Sequence, residues 1–217
     1  MKKTIILLLF ILGIWAAQAM AQEQWNVASG RSSVNFKVKH LIFSQVEGKF
    51  KTFEGRLVTP NQDLTGAQLE AIVRIDSIYT GNQDRDKHLY SQDFFAAEKY
   101  PEMVFKSTTI TKTNQPNIYT IKGDLTIRGV TKSVELTAKY VGVKTLANGT
   151  TRMELTATGS VNRFDYGLKW NELMETGKAI VGENVDISFN ASFVKDDNTL
   201  VASAKMSGET PDHSISD

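Results

Sequence analysis

Residues 84–88 place four charged side chains and a histidine in five consecutive positions, and Phe94 and Phe95 follow shortly afterwards. Carboxylates and an imidazole this close together could bind a metal ion or transfer protons. A metal site would need His88 and His40 to be joined by a carboxylate such as Asp86. These two histidines lie far apart in the chain and lack a short ligand spacing, so the sequence predicts no metal ion.

Hydrolytic chemistry would need an activated nucleophile with a base within reach and an oxyanion hole. The chain contains no cysteine and no Gly-x-Ser-x-Gly element. We therefore expect a protein that is not an enzyme and that carries no cofactor.

The N-terminus has the features of a secretory signal. Lys2 and Lys3 precede the apolar run Ile5–Ala17, and small residues stand at Ala19 and Ala21. This order is typical of a cleaved signal peptide, and the apolar run is shorter than the roughly 20 residues of a spanning helix. The sequence predicts cleavage of residues 1–21, export to the periplasm and no membrane span in the mature chain.

Charge and cysteine content narrow the classes of partner. Loss of residues 1–21 removes two lysines and no acid, which moves the formal net charge from +1 to −1. Binding of phosphate backbones needs a basic surplus or a basic stripe, so we expect no nucleic-acid partner. The absence of cysteine also excludes a disulfide framework and a thiolate metal site.

Apolar and polar residues alternate with period two from Val34 onward, which is typical of strands with one buried face. The apolar positions include Val34 and Phe36, Leu69 and Ala71, Val134 and Leu136, Leu155 and Ala157, and Ile187 and Phe189. One apolar face per strand indicates an antiparallel sheet. We expect about eight strands in one domain, residues 22–194, and a polar, disordered tail, residues 195–217.

Turn residues separate these strands. Asn148 and Gly149 predict a type I′ hairpin, because both tolerate positive φ. Residues 114–117 and 128–132 indicate two further turns. The period-two pattern breaks at residues 84–99, where residues 89–99 predict one short helix that ends before Pro101.

Eight antiparallel strands with one apolar face each either pack as a sandwich or close into a barrel, and closure leaves no exposed edge. A barrel of this size is either filled by side chains or keeps a slot for one small ligand. The predicted inner face mixes large residues such as Phe36 and Phe189 with small ones such as Ala71 and Ala157. This pattern is compatible with both interiors.

Four separated blocks resemble the YceI-like family. They are FKVKHLIFSQVEGKFKTFEGRL at 36–57, IDSIYTGNQDRDKHLYSQDFFAAEKYPEMVF at 75–105, GDLTIRGVTKSVEL at 123–136 and NRFDYGL at 162–168. The resemblance extends from about Trp25 to Phe193. It implies an all-β fold, a lipocalin-like antiparallel barrel, with an elongated cavity for a polyisoprenoid or another long-chain amphiphile. It also implies a periplasmic protein that can form a homodimer, and no shared enzymatic activity.

The candidate ligand-binding residues are Phe36, Val38, Phe50, Val73, Phe94, Phe95, Phe105, Ile127 and Arg163. Arg163 could meet an anionic head group, since guanidinium suits phosphate geometry, or it could pair with Asp165 or another acid. For the opening stretch, our hypothesis is that it caps one end of the barrel. Phe94 and Phe95 would then face the cavity, while Arg85, Asp86 and His88 pin the cap to the rim. In the alternative, the stretch is a solvated loop in which Asp84–Arg85 contacts and capping by Asp93 start the helix.

We therefore expect an exported protein that holds a long-chain isoprenoid or fatty amphiphile non-covalently, for transport, storage or sequestration. The alternative is a ligand-free, filled barrel that acts through its outer face in envelope stress or adhesion. Both alternatives share the same fold and differ in whether the interior is open.

Overall fold

The computed structural model describes residues 22–40, 44–60, 63–170 and 181–196. Strands dominate this part of the chain. They are β1 (Glu23–Val27), β2 (Ser33–His40), β3 (Ser44–Phe50), β4 (Phe53–Thr59), β5 (Gln68–Arg74), β6 (Ile78–Tyr79), β7 (Glu102–Lys112), β8 (Ile118–Ile127), β9 (Val130–Thr145), β10 (Thr151–Asn162) and β11 (Val181–Lys195). One α-helix, α1 (Gln83–Tyr90), follows β6, and a 3₁₀ helix, Arg163–Tyr166, follows β10.

The strands close into an antiparallel barrel of eight walls. The order β1-β4-β5-β7-β8-β9-β10-β11 returns to β1, because β11 pairs with β1 as well as with β10. The remaining three strands add to the same sheet. β2 also pairs with β11, β3 pairs with β2, and β6 pairs with β3. The predicted fold class, a roughly eight-stranded antiparallel barrel with one short helix, is confirmed.

The closure between β1 and β11 is short and is reinforced by side chains. Trp25 lies opposite Lys195 in the register, and Lys195 Nζ is 2.6 Å from Glu23 Oε1 in a largely buried ion pair. The ammonium also lies 5.8 Å from the centroid of the Trp25 ring. These contacts fasten the last strand of the barrel to the first.

One end of the barrel is filled by side chains, and we call it the packed end. Its buried core includes Trp25, Leu57, Tyr119, Ile121, Leu155 and Phe193. Each of these residues is at most 2% exposed. Alternation in the sequence places large residues on the inner face of several walls, and small residues such as Ala138 and Ala191 leave room for them.

The predicted position of the helix is wrong. Residues 89–99 were expected to be helical, but α1 ends at Tyr90 and the chain continues in turns to residue 100. Asn82, and not Asp93, caps α1, since its side chain accepts a hydrogen bond from Arg85 N. Ala96 has φ +48°, a left-handed conformation that a continuing helix would not contain.

The predicted type I′ turn occurs at a different hairpin. Gly149 has φ +83° but Asn148 does not have positive φ, and residues 147–149 form a three-residue loop closed by Leu146 and Thr150. Glycine in the left-handed position is what such a loop requires. The two-residue turn with positive φ at both positions joins β8 to β9 at Arg128 and Gly129.

The predicted domain boundaries lie partly outside the described residues. The predicted signal peptide, residues 1–21, lies outside them, as does residue 197 onward of the predicted tail. The barrel extends past the predicted boundary at residue 194, because β11 runs to Lys195 and Asp196 N donates to Gln24 O. Within the described ranges, no helix has the length and apolar content that a membrane crossing would need.

Candidate functional site

The end of the barrel opposite the packed end contains a cavity of about 480 Å³, which we call the outer chamber. Strands β2 and β3 contribute Phe36, Val38, His40, Val46 and Phe50 to its wall. Strands β8, β10 and β11 contribute Ile127, Val161, Val185 and Ile187. Helix α1 and the turns after it cover the chamber with His88, Leu89, Phe94 and Phe95. The walls are therefore mostly apolar.

A smaller cavity of about 130 Å³ lies deeper in the barrel, and we call it the inner chamber. The two chambers share six lining residues: Phe36, Phe50, Met103, Ile127, Val161 and Ile187. On its far side the inner chamber is lined by Leu69, Phe105 and Ala157, which belong to the packed core. The interior is thus filled at one end and open at the other. The sequence was compatible with a filled barrel and with a barrel that keeps a slot for a ligand, and each of these describes part of the structure.

The structure places all nine candidate residues on the walls of these chambers. The outer chamber is lined by Phe36, Val38, Phe50, Phe94, Phe95, Ile127 and Arg163. The inner chamber is lined by Val73 and Phe105, and it shares Phe36, Phe50 and Ile127. Sequence reasoning did not select Met103, Leu168 or Tyr166, which also line the outer chamber. Met103 is in phase with Phe105 in β7, which is a signal that could have identified it.

Three aromatic rings form a cluster at the wall of the outer chamber. The His88 ring lies edge-on to Phe94 and to Trp170, with centroid distances of 5.0 and 4.8 Å, and the Phe94 and Trp170 centroids are 5.2 Å apart. His88 Nε2 also lies 3.4 Å from Asp93 Oδ2. Through these contacts α1, the turn after it and the segment after the 3₁₀ helix are packed against one another.

The charged residues of the opening stretch hold α1 in place. Thr80 N and its hydroxyl donate to Asp86 Oδ1 at 3.0 and 2.6 Å. Arg85 Nε and Nη2 donate to the Thr80 hydroxyl and carbonyl at 2.8 and 2.9 Å. Thr80 directly follows β6, so these bonds attach α1 to the wall that precedes it. These contacts agree with the hypothesis that this stretch caps one end of the barrel, with Phe94 and Phe95 at the cavity and Arg85 and Asp86 bonded to the rim. His88 was expected to join the rim contacts, but it contacts aromatic rings.

Arg128 provides a second attachment that sequence reasoning missed. Its Nη1 donates to Gly167 O at 2.7 Å and its Nη2 to Gln92 O at 2.9 Å. Arg128 sits in the turn between β8 and β9, so these bonds connect that hairpin with the turn after α1. A basic residue in a surface turn carries no sequence signal for this role.

Arg163 is 4% exposed and directs its guanidinium at backbone carbonyls. Nε donates to Gly182 O at 2.8 Å, Nη1 donates to Leu168 O at 2.6 Å and to Trp170 O at 2.7 Å, and Nη2 donates to Val181 O at 3.2 Å. Among the described residues no ion pair joins it to Asp165, so that part of the prediction is wrong. Burial lowers the pKa of Arg163, and the negative charge of Glu183 opposes this effect.

Tyr166, at the end of the 3₁₀ helix, is 1% exposed, and its hydroxyl makes no hydrogen bond to any residue that the structure describes. Burial raises the pKa of Tyr166 to about 12, and the charge of Asp165 adds to this effect. A buried phenol without a partner is uncommon, because desolvation of a hydroxyl is costly. The site therefore contains one neutral hydroxyl whose hydrogen-bonding capacity is unused.

The arrangement is suited to holding an apolar chain. Polar side chains on the wall of the outer chamber are concentrated around α1, where Asn82, Asp84 and Arg85 lie. In the part of the chain that the structure describes, no three histidine, aspartate or glutamate side chains are grouped as metal ligands would be. A hydrocarbon would contact the barrel walls, and a polar group would find donors and acceptors near the helix and also at His40 and the Tyr166 hydroxyl.

Comparison with known proteins gives the same fold. A UPF0312 protein of Staphylococcus epidermidis is 37% identical over 171 residues, which cover 78% of this chain and 96% of the relative. The crystal structure of a Campylobacter jejuni YCEI protein is 28% identical, with a TM-score of 0.61 over 74% of this chain and 91% of that one. BcnA of Burkholderia cenocepacia has a TM-score of 0.66 at 21% identity and covers 76% of this chain and 98% of its own.

A more distant structure shares the fold alone. It is a polyisoprenoid binding domain from Saccharophagus degradans, with a TM-score of 0.56 at 14% identity, covering 82% of this chain and 99% of its own. The sequence profile of the YceI-like domain matches residues 25–193, which span nearly the whole barrel. The chain belongs to the YceI-like family.

Proposed function

We propose that this barrel binds a long-chain isoprenoid or fatty amphiphile non-covalently in its two chambers. The observation that carries the proposal is the pair of adjoining cavities of about 480 and 130 Å³, whose walls are mostly apolar. Apolar cavities of this size are typical of sites that enclose most of a small molecule's surface.

The hydrophobic effect provides enough free energy for such binding. Each methylene moved from water to an apolar environment contributes about 0.8 kcal/mol. A chain of a dozen or more carbons therefore offsets the several kcal/mol that association costs in lost freedom. A single polar head group near α1 would remain hydrated or would bond to the side chains there.

The fold relationship supports the chemical class of the ligand. The structure from Saccharophagus degradans is described as a polyisoprenoid binding domain, and this chain shares its fold. Together with the apolar chambers, this favours a prenyl chain or a fatty chain over a polar metabolite. We extend the proposal to the role of the protein: it is exported to the periplasm and there transports, stores or sequesters its ligand.

The first test is to identify what the exported protein carries. The mature protein would be purified from the periplasmic fraction without detergent, and its organic extract would be analysed by mass spectrometry beside an unrelated barrel handled identically. We expect a prenyl or fatty species in near-stoichiometric amount from this protein alone. Recovery from the cytoplasmic fraction only would contradict export.

A second measurement uses the chain's own tryptophans as reporters. Trp170 lines the outer chamber, whereas Trp25 lies in the packed end, where its indole N–H has no hydrogen-bond acceptor among the described residues. In a Trp25→Phe background the fluorescence of the folded barrel reports on Trp170. We expect saturable changes on addition of geranylgeraniol to the delipidated protein. An empty extract together with no response to this alcohol would overturn the proposed function.

A further inference from the structure

The two chambers differ in chemistry as well as in depth. The outer chamber has polar side chains on its helix side, including Asn82, Asp84 and Arg85. The inner chamber is lined by aliphatic and aromatic side chains such as Val73, Leu125 and Phe189. Asn35 and Ser188 also border it, but they lie opposite each other at strand positions whose side chains point to the other face of the sheet.

We propose that the inner chamber is a tail pocket that accepts the far hydrocarbon end of the ligand, and that its floor sets the longest chain the barrel can hold. This inference rests on the proposed function and specifies it further. The floor consists of Leu69, Ala71, Leu136 and Ala157, which pack against or belong to the core of the packed end. Beyond them the barrel is filled.

The absence of polar partners in the inner chamber determines the direction of binding. A hydroxyl or carboxyl group placed there would lose its hydrogen bonds to water and find no inward-facing side-chain donor or acceptor among the described lining residues, which is unfavourable. A terminal methyl or dimethylallyl group has no such penalty. The ligand therefore enters tail first, and its head group stays beside α1.

The depth of the two chambers follows from the strand that lines both of them. β2 lines the outer chamber from His40 to Phe36 and the inner chamber from Phe36 to Val34. At about 3.3 Å per residue, four steps give a depth of about 13 Å to Phe36 and six steps about 20 Å to Val34. Short chains thus end in the outer chamber, and only longer ones reach the tail pocket.

Phe36 and Phe50 stand at the passage between the chambers. Their ring centroids are 5.6 Å apart, and both residues line both cavities. The Phe36 ring lies over Gly48 on the neighbouring strand, in space that a β-carbon at residue 48 would occupy. Because Gly48 has no side chain, the Phe36 ring can lie against the wall, and the passage between the chambers stays free for the ligand.

The test measures affinity as a function of chain length in variants that change only the floor. Ala71 is partly buried and faces the tail pocket, so Ala71→Leu shortens the pocket, while Leu136→Ala deepens it. Thr158→Leu is the matched control, since Thr158 is exposed and follows Ala157 on the outer face of β10. Geraniol, farnesol, geranylgeraniol and solanesol would be titrated against each protein in the Trp25→Phe background.

For Ala71→Leu we expect about tenfold weaker binding of the long alcohols, which corresponds to about two methylenes left unburied, and little change for geraniol. For Leu136→Ala we expect the affinity to continue rising to longer chains than in the parent, and for Thr158→Leu an unchanged series. Ala157→Leu provides a second floor variant if Ala71→Leu does not fold.

Two outcomes separate failure of this inference from failure of the proposed function. Equal weakening of short and long alcohols in the floor variants, or no effect on either, would overturn the tail pocket while leaving lipid binding intact. If the parent protein binds none of the four alcohols and yields an empty extract, the proposed function itself fails.

Discussion

At the scale of single residues, Arg163 and Tyr166 show how a short segment can serve both fold and cavity. The Arg163 guanidinium bonds to carbonyls of residues 168, 170, 181 and 182, which brings the chain after the 3₁₀ helix next to the start of β11. A planar group with five N–H donors can reach several carbonyls at once, whereas a lysine ammonium could not reproduce this fork. Arg163 therefore shapes the wall of the outer chamber through the backbone.

Tyr166→Phe is expected to leave stability at neutral pH unchanged or slightly higher, because the buried hydroxyl makes no hydrogen bond within the described part of the chain. At high pH the two proteins should differ. An unfolded tyrosine ionises near pH 10, whereas burial raises the pKa of Tyr166 to about 12. Between these values the unfolded state has released a proton that the folded state retains. The unfolding free energy of the parent therefore falls by up to about 3 kcal/mol as the pH rises.

Chemical denaturation of both proteins across this pH range would measure the effect. Tyr140, whose pKa burial also raises, is present in both proteins, so the difference between them isolates Tyr166. A constant difference in unfolding free energy from neutral pH to pH 12 would show that Tyr166 is not buried as described.

At the scale of elements, the connections decide how strands and helix meet. Helix α1 has no buried residue, and it is held by its cap and by the bonds of Arg85 and Asp86 to Thr80. Helix α1 therefore has no apolar pattern by which the sequence could identify it. The apolar residues Phe94, Ala96 and Ala97 lie in the turns that follow. The sequence indicated a helix in the correct interval but placed it over the turns.

Two glycine turns allow steric crowding to be separated from backbone strain. Gly129 has φ +74°, and a β-carbon there would lie 2.7 Å from a ring carbon of Tyr100. Gly149 has φ +83° with no heavy atom within 4 Å of that position. Gly149→Ala should cost about 1 kcal/mol for the left-handed backbone alone, and Gly129→Ala should cost more because Tyr100 must also move.

Thermal and denaturant unfolding of the two variants would check this order. Equal losses of stability would mean that Tyr100 shifts freely and that the contact does not constrain the hairpin. A larger loss for Gly149→Ala would contradict the assignment of the tighter turn to Arg128 and Gly129.

At the scale of the whole molecule, the barrel divides its interior between stability and binding. The packed end is filled by buried side chains, while two cavities remain toward the opposite end. Such a division leaves part of the apolar surface in contact with open space, which costs packing interactions that a bound chain would restore. Ligand binding is therefore expected to stabilise the fold.

A matched pair of truncations tests this division. Ile121 is 0% exposed in the packed end, and Ile187 lines both chambers. Ile121→Ala should cost about 2–5 kcal/mol through a new cavity, and Ile187→Ala should cost less because its neighbours already border empty space. Urea unfolding of the delipidated proteins measures both values. Similar costs at the two sites would indicate that the chambers collapse in the absence of ligand.

The sequence by itself determined the fold and the composition of the walls. Alternation with period two follows directly from the two faces of a strand, so residues such as Phe36, Val73 and Phe105 could be assigned to the interior without coordinates. The four blocks of family resemblance indicated the barrel and the class of ligand. Export, self-association and the lack of enzymatic activity were also expected from the sequence and stay predictions.

Only the tertiary structure decided which part of the interior is filled. Val161 and Ile187 carry the same inward-facing signal as Leu155 and Phe193, yet the first two border both chambers and the last two are packed. Whether space remains depends on how side chains from opposite walls meet, and no local pattern along one strand contains that information. The hydrogen bonds of Arg163 could not be predicted for the same reason, because their acceptors come from chain segments that approach each other only in the folded barrel.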